Sequence, residues 1–163
     1  MKEKIFTNCF LVKTDKDGAP EEVCLGMKKR GWGQGLWNGS GGKPKEDETV
    51  EEAAKREVEE EFKVKVLEID KKGEIVFILR KEEEKVLMYT FLVTDWKNKP
   101  KETEEMRPEW FPISKVPYEK MWASDKEWLP IILSGKKIKA TYTYAHEGGE
   151  VETRELVEVE SFN

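Results

Sequence analysis

Apolar and polar positions change period several times along the chain, and each change marks an element. Alternating stretches rich in β-branched and aromatic residues predict strands at residues 5–14, 23–28, 64–69, 74–79, 86–95, 109–112, 138–145 and 151–159. The last two flank His146-Glu147-Gly148-Gly149, which reads as a hairpin turn. Two stretches repeat instead at helical spacing, each with its own start signal. Thr49-x-x-Glu52 forms a capping box ahead of Val50, Ala53, Ala54, Val58 and Phe62. Ser124-x-x-Glu127 does the same ahead of Trp128 and the apolar run 129–133, with Gly135 at the stop. Many strands and two helices predict an α+β protein with a mixed sheet between helices; the strand order does not follow from the pattern.

The chain has 163 residues, 37% of them hydrophobic, with no internal repeat and no Pro/Gly/Ser-rich linker, so one domain over residues 1–163 is expected. Its net charge of −5 argues against binding to a nucleic-acid polymer or an anionic membrane, since neither gains from an acidic surface. An acidic chain that handles phosphates needs a bridging cation. The longest dense apolar runs, 75–79 and 129–133, fall well short of a membrane span, and Thr7, Asn8 and Cys9 interrupt the apolar residues near the N-terminus. A cytoplasmic monomer is the expectation. Cys9 and Cys24 form neither a CxxC pair nor a metal spacing and read as small buried hydrophobes.

Nine carboxylates fall between Glu46 and Glu61. At about 100° per residue, Val50, Ala54, Val58 and Phe62 make an apolar stripe, with Glu52, Glu59 and Lys63 on the opposite, solvated side. Glu61 instead projects between Val50 and Ala54, Glu57 borders the stripe, and Glu60 stands beside Glu57 at i, i+3. Three carboxylates at the edge of a buried face repel one another and lose hydration, a cost offset only by a counter-charge. Oxygen-only ligands suit a hard ion, Mg²⁺ or alternatively Mn²⁺. Ordinary ion pairs with Arg56, or with lysines from elsewhere, are the competing account of the same cluster.

Together with the residues before it, this helix resembles the Nudix box, G-x5-E-x7-R-E-U-x-E-E-x-G-U with U aliphatic. The matching positions are Gly42, Glu48, Arg56, Glu57, Val58, Glu60, Glu61 and Val64; Lys63 stands where the family has glycine, at a helix end suited to a left-handed backbone. Further segments resemble one branch of that family, the mammalian MutT-type hydrolases of oxidised purine nucleoside triphosphates. They are 26–31, Trp37-Asn38-Gly39, Gly41-Gly42-Lys43, Ile75-Val76-Phe77, Glu105-Met106-Arg107-Pro108, Met121-Trp122 and, near the end, residues 153–159. The resemblance implies the Nudix α/β/α sandwich and Mg²⁺-dependent cleavage of a purine nucleoside triphosphate to monophosphate and pyrophosphate, for sanitation of the nucleotide pool.

The resemblance also assigns roles. Glu57, Glu60 and Glu61 would hold the metal and carry catalysis, with Arg56 orienting them; Glu105 and a carbonyl at Gly42 would complete the metal set. Separately from the resemblance, the basic run Lys28, Lys29 and Arg30 at a strand end offers charge to phosphates, Lys28 first among them, with a simply solvated run as the alternative. Asn38 and Trp122 would read and stack the base, in a pocket to which Thr7, Trp32, Phe77, Met88, Met106 and Trp128 also belong. Where the branch has two adjacent Asp residues that read the base, this chain has Ser124 and Asp125. Ser124 cannot ionise and would serve as the helix cap, leaving Asp125 to act alone. Two alternatives stand beside this reading: a Nudix hydrolase of another nucleoside diphosphate derivative, and a catalytically silent nucleotide-binding module. Triad chemistry is disfavoured, because the single histidine, His146, falls in a turn.

Overall fold

Strand β1 (Lys2–Thr14) is buried at every position from Thr7 to Val12, which requires cover on both of its faces. Phe10 and Val12 enter one apolar cluster, Cys9 and Leu11 another, as the two-residue side-chain period demands. In the computed structural model, which describes residues 1–163, the rest of the chain is built around this strand. The other strands are β2 (Pro20–Lys28), β3 (Trp37–Asn38), β4 (Lys65–Leu79), β5 (Glu84–Lys97), β6 (Met106–Pro112), β7 (Lys137–Tyr144) and β8 (Val151–Val159). They form one sheet in the order β3-β2-β1-β5-β4-β7-β8, with β6 on the other side of β2. β1 and β5 are parallel, as are β4 and β7, and the remaining pairs are antiparallel, so the sheet is mixed as expected. Helix α1 (Val50–Phe62) covers one face with Ala54, Val58 and Phe62; α2 (Asp125–Leu133) covers the other with Trp128, Leu129, Ile132 and Leu133. No helix is long and apolar enough to cross a membrane.

Three local features depart from the pattern reading. The two strands expected at 64–69 and 74–79 are one long strand, β4, whose register against β5 shifts at Val66/Glu68, Glu68/Ile69 and Lys71/Gly73. Such bulges let the polar stretch between them stay in the ladder. β3 is only two residues long, too short to show a period. At α2, Ser124 has helical dihedrals (φ −82°, ψ −15°) and makes no side-chain cap bond, so the expected capping box is absent there. A serine caps from an extended backbone, which Ser124 does not have. The box at α1 is formed: Thr49 Oγ1 accepts the Glu52 N–H and Glu52 Oε1 accepts the Thr49 N–H, both at 3.1 Å.

β1 and β2 pair from Leu11↔Cys24 to Thr14↔Pro20 and then part. Residues 37–42 fill the split. Met27 and Gly26 of β2 pair with Trp37 and Asn38 on one side. On the other, Ser40 and Cys9 exchange both backbone bonds, at 2.6 and 2.8 Å, and the Thr7 N–H donates to the Gly42 carbonyl at 2.9 Å. The approach is so close that a Cβ on Gly41 would lie 1.7 Å from the Thr7 carbonyl oxygen.

α1 ends with Lys63 in the left-handed conformation (φ 57°, ψ 40°), its N–H donating to the Glu59 carbonyl. A side chain in that region costs about 1–2 kcal/mol, partly offset by the greater unfolded-state entropy of glycine. Lys63→Gly is therefore expected to stabilise the protein by up to about 1 kcal/mol, a rise of about 2–4 °C in Tm. Thermal denaturation checks this; a lower Tm would show that the lysine stem makes compensating contacts.

Candidate active site

Glu61 sits on the buried side of α1, 5% exposed, where its Oε1 accepts from Ser40 Oγ (2.9 Å) and the Gly41 N–H (3.1 Å). Burial raises its pKa to about 7; the Ser40 bond and the nearby Lys28 charge oppose that rise, and the Glu57 charge adds to it. Glu57 lies one turn back, against Gly42. A Cβ on Gly42 would stand 2.5 Å from Glu57 Oε1, so only glycine leaves room for this carboxylate. Both charges reach Cys9 beneath them and push its buried thiol further up.

Arg56 fastens this helix to the preceding loop. Its Nε and Nη2 donate to the two oxygens of Glu48 at 2.6 and 2.9 Å, Nη2 also to the Lys43 carbonyl, and Nη1 to Glu57 at 2.8 Å. The fork-on-fork pair and the Lys45 N–H hold the Glu48 carboxyl at about 2. That contact strengthens above the ordinary carboxylate range and is lost as pH falls toward 2.

The ion-pair account describes the outer carboxylates. Glu60 is exposed and lies 3.5 Å from Arg56 Nη1. Glu105 is held by Arg30 Nη2 at 2.7 Å and by Lys28 Nζ at 3.5 Å. Glu57, Glu60, Glu61 and Glu105, the expected ligands, do not stand together as a group of three or more carboxylates in this structure. Their long side chains instead reach the cations around the rim. The Gly42 carbonyl is likewise engaged, by the Thr7 N–H and hydroxyl. What fits a hard divalent ion is the inner pair, Glu57 and Glu61: two like-charged, oxygen-only donors, one of them buried enough to raise its pKa, beside a glycine that clears the space.

On the α2 side of the sheet lies a cavity of about 690 Å³. Asn8 and Asn38 line it from the β1–β3 region, Phe77 and Met88 from the neighbouring strands, Trp122, Ser124 and Asp125 from the start of α2, and Trp32 from the loop after β2. Trp32 is 63% exposed and stacks on Trp122 with ring centroids 4.6 Å apart and planes 22° apart. Its indole N–H donates to Glu147 in the β7–β8 turn. A planar ligand therefore reaches Trp122 on its other face or by displacing Trp32. Ser124 Oγ and Asp125 Oδ2 are buried without a protein partner, and burial raises the Asp125 pKa to about 7.

Three expected pocket residues lie elsewhere. Met106 is 3% exposed in the cluster under α1, with Phe62 and Val58. Trp128 is fully buried and edge-on to Phe10, in the core of the α2 face. Thr7 bonds the Gly42 backbone on the α1 side. For Met106 and Trp128 the size and apolarity that suit a pocket wall suit a core equally well. Thr7 is carried away by strand alternation, which turns it from the face that Asn8 shares with Phe6 and Phe10. Pattern reading missed Asn8 and Ser40. Asn8 carries a signal in retrospect: it is the polar residue between two aromatics at period two. Ser40 carries none.

The Glu61 pKa sets a pH dependence. Its folded-state value lies above the ordinary 4.5, so between about pH 4.5 and 7 the folded state binds more protons than the unfolded state and stability falls as pH rises. The penalty is on the order of 3 kcal/mol. Glu61→Gln keeps an oxygen for Ser40 and Gly41 but no charge. In chelator, the variant should match wild type at pH 4.5 and exceed it in Tm increasingly up to pH 8, as followed by thermal denaturation. A difference that is flat with pH would refute the assignment. Divalent-ion affinity of the wild type, measured by calorimetry, should rise across the same window, because the ion displaces the proton.

Comparison with known proteins agrees with this geometry. The NUDIX domain family model matches residues 7–131. The chain is 42% identical over 125 residues to an oxidized purine nucleoside triphosphate hydrolase of Danio rerio, covering 77% of this chain and 80% of that protein. It is 39% identical over 143 residues to the protein of the same name from Mus musculus, covering 88% and 91%. Among solved structures it superposes on the mutator protein MutT of Bacillus halodurans with a TM-score of 0.79 at 26% identity, covering 94% of this chain and 97% of that one. With the family model matched over more than half its length and the carboxylate helix in place, this chain belongs to the Nudix family of hydrolases.

Proposed function

We propose that the protein hydrolyses oxidised purine nucleoside triphosphates to the monophosphate and pyrophosphate, with Mg²⁺ as cofactor. One observation carries the reading: the segment 37–42 gives Asn38 to the aromatic cavity and, two residues on, Ser40 and Gly41 to Glu61. A base in the cavity and a phosphate chain at the carboxylate helix are thereby held in one register. The names of the Danio rerio and Mus musculus relatives support the substrate class.

Glu57 and Glu61 would hold the divalent ion. When bound there, it supplies neutralisation of phosphate charge and activation of a water nucleophile. The protein does the rest by positioning. Arg56 and Glu48 fix α1 to the loop that bears Gly42 and Gly41. Lys28, close enough to lower the Glu61 pKa, offers a point charge to a phosphate oxygen. Glu60, held by a single 3.5 Å contact, is the helix carboxylate best able to turn and take the proton of the attacking water. Attack at the β-phosphorus breaks its bond to the α–β bridging oxygen, which leaves on the monophosphate. In the cavity, Trp122 stacks the purine, while Asn38, Ser124 and Asp125 meet its polar edge; Phe77 and Met88 enclose it.

Purified protein with Mg²⁺ should release pyrophosphate from 8-oxo-dGTP or 2-hydroxy-dATP faster than from unmodified purine triphosphates. Glu61→Gln should lower kcat/KM by about 100-fold or more. Trp122→Ala should raise KM by about tenfold and leave kcat within about threefold, since stacking holds the base rather than the reacting phosphorus. No release from any triphosphate would overturn the reading and favour another diphosphate substrate or a silent binding module.

A further inference from the structure

Asn8 is a carboxamide buried to 5% exposure on a face it shares with Phe6 and Phe10, a placement that is costly unless its polar atoms are matched. Its Nδ2 donates to Asn38 Oδ1 at 3.1 Å and contacts Met88 Sδ at 3.7 Å. Asn38 Oδ1 also accepts the Gly39 N–H at 2.8 Å. A backbone N–H can only donate, so the atom facing it is the oxygen and the Asn38 carboxamide is fixed in one orientation. A carboxamide oxygen has two acceptor sites. Both are taken, and what Asn38 retains for a ligand is its Nδ2, which donates to no protein group.

An unconstrained asparagine pairs bidentately with a 6-aminopurine, accepting from the exocyclic amine with its oxygen and donating to N7. That mode needs the oxygen that Asn8 occupies. A 6-oxopurine presents an acceptor at C6, which an N–H of the Asn38 carboxamide satisfies. Its N1–H, adjacent to the C6 oxygen, needs an acceptor, and the cavity holds one in the buried, unpartnered Asp125 Oδ2. A 6-aminopurine would set its amine against the Asn38 donors.

We infer that Asn8, by saturating the Asn38 carboxamide oxygen, is a positioning residue that makes the pocket selective for 6-oxopurines over 6-aminopurines. The inference rests on the proposed base-binding role of the cavity and adds to it the class of base. It assigns the protein to guanine- and hypoxanthine-type nucleotides.

The test uses two triphosphates that differ only at the C6–N1 edge, dITP and dATP. Wild-type protein should favour dITP in kcat/KM by at least about tenfold, the cost of a buried donor facing a donor. Asn8→Leu, which fits the apolar surroundings, and Asn8→Ala as a second variant should narrow the ratio to within about threefold by raising the dATP value, because one acceptor site of Asn38 is then free. A purely structural role for Asn8 would lower both substrates together and leave the ratio intact. Calorimetric binding of dIMP and dAMP reads the same ratio without hydrolysis. A dIMP preference that narrows in the variants, with no triphosphate cleaved, would support the base inference and sink the proposed activity. Hydrolysis with a wild-type ratio under about threefold, or a ratio unchanged in both variants, would overturn the base inference alone.

Discussion

The close passage of residues 37–42 along the edge of β1 is the constraint from which the rest of the site follows. Backbone against backbone leaves no room for a side chain at Gly41, the Glu57 carboxylate fills the space beside Gly42, and the segment is secured by the exchange of bonds between Ser40 and Cys9. Because β1 is covered on both faces, a chain wedged beside it can address both. Asn38 is turned to the cavity on the α2 side, while Ser40 and Gly41 serve Glu61 on the α1 side. A shift of this segment would move the polar end of the cavity and the carboxylate end together.

The carboxylates around α1 divide by depth. Glu61 is short of solvent and relies on two neutral donors, so its charged form is disfavoured and a cation is the natural complement. Glu60 and Glu105 are nearer the surface, where Arg56, Arg30 and Lys28 take them up, and Glu48 and Glu57, both half-buried, share Arg56. The surface pairs contribute little to stability individually. Their importance lies in geometry: the fork of Arg56 ties Glu48, the Lys43 carbonyl and Glu57 into one rigid joint between loop and helix.

Much of this was legible in the residues. Helical periodicity separates Glu61 from Glu52 and Lys63, and the structure buries the first and exposes the others. The wheel is less exact for Glu59, which lies on the solvated side yet accepts the Val66 N–H and steadies the start of β4. The left-handed turn expected at the box glycine survives with lysine in its place, because the Glu59 carbonyl and the turn into β4 demand it. Other features were beyond the reach of pattern. Whether a large apolar residue lines a cavity or fills a core depends on which strands become neighbours, and strand order is not a local property; Met106 and Trp128 fall on the core side for that reason. The same holds for Asn8, whose partner is 30 residues away, and for the contact of Trp32 with Glu147 across the cavity.

The position of β1 has a consequence for how the chain acquires its structure. The strand lies near the middle of the sheet, yet its parallel partner is β5, so that Lys2 faces Glu84 and Leu11 faces Val93. During synthesis β1 must wait for β5, 82 residues further along the chain, before this ladder can form. Pairings of such long range are slow, and an apolar strand held waiting is exposed to the wrong partners. The hairpin of β1 with β2 shelters only one edge in the meantime. The carboxylate end of the site, built on β1, residues 37–42 and α1, therefore rests on a strand whose other edge is completed only when β5 arrives.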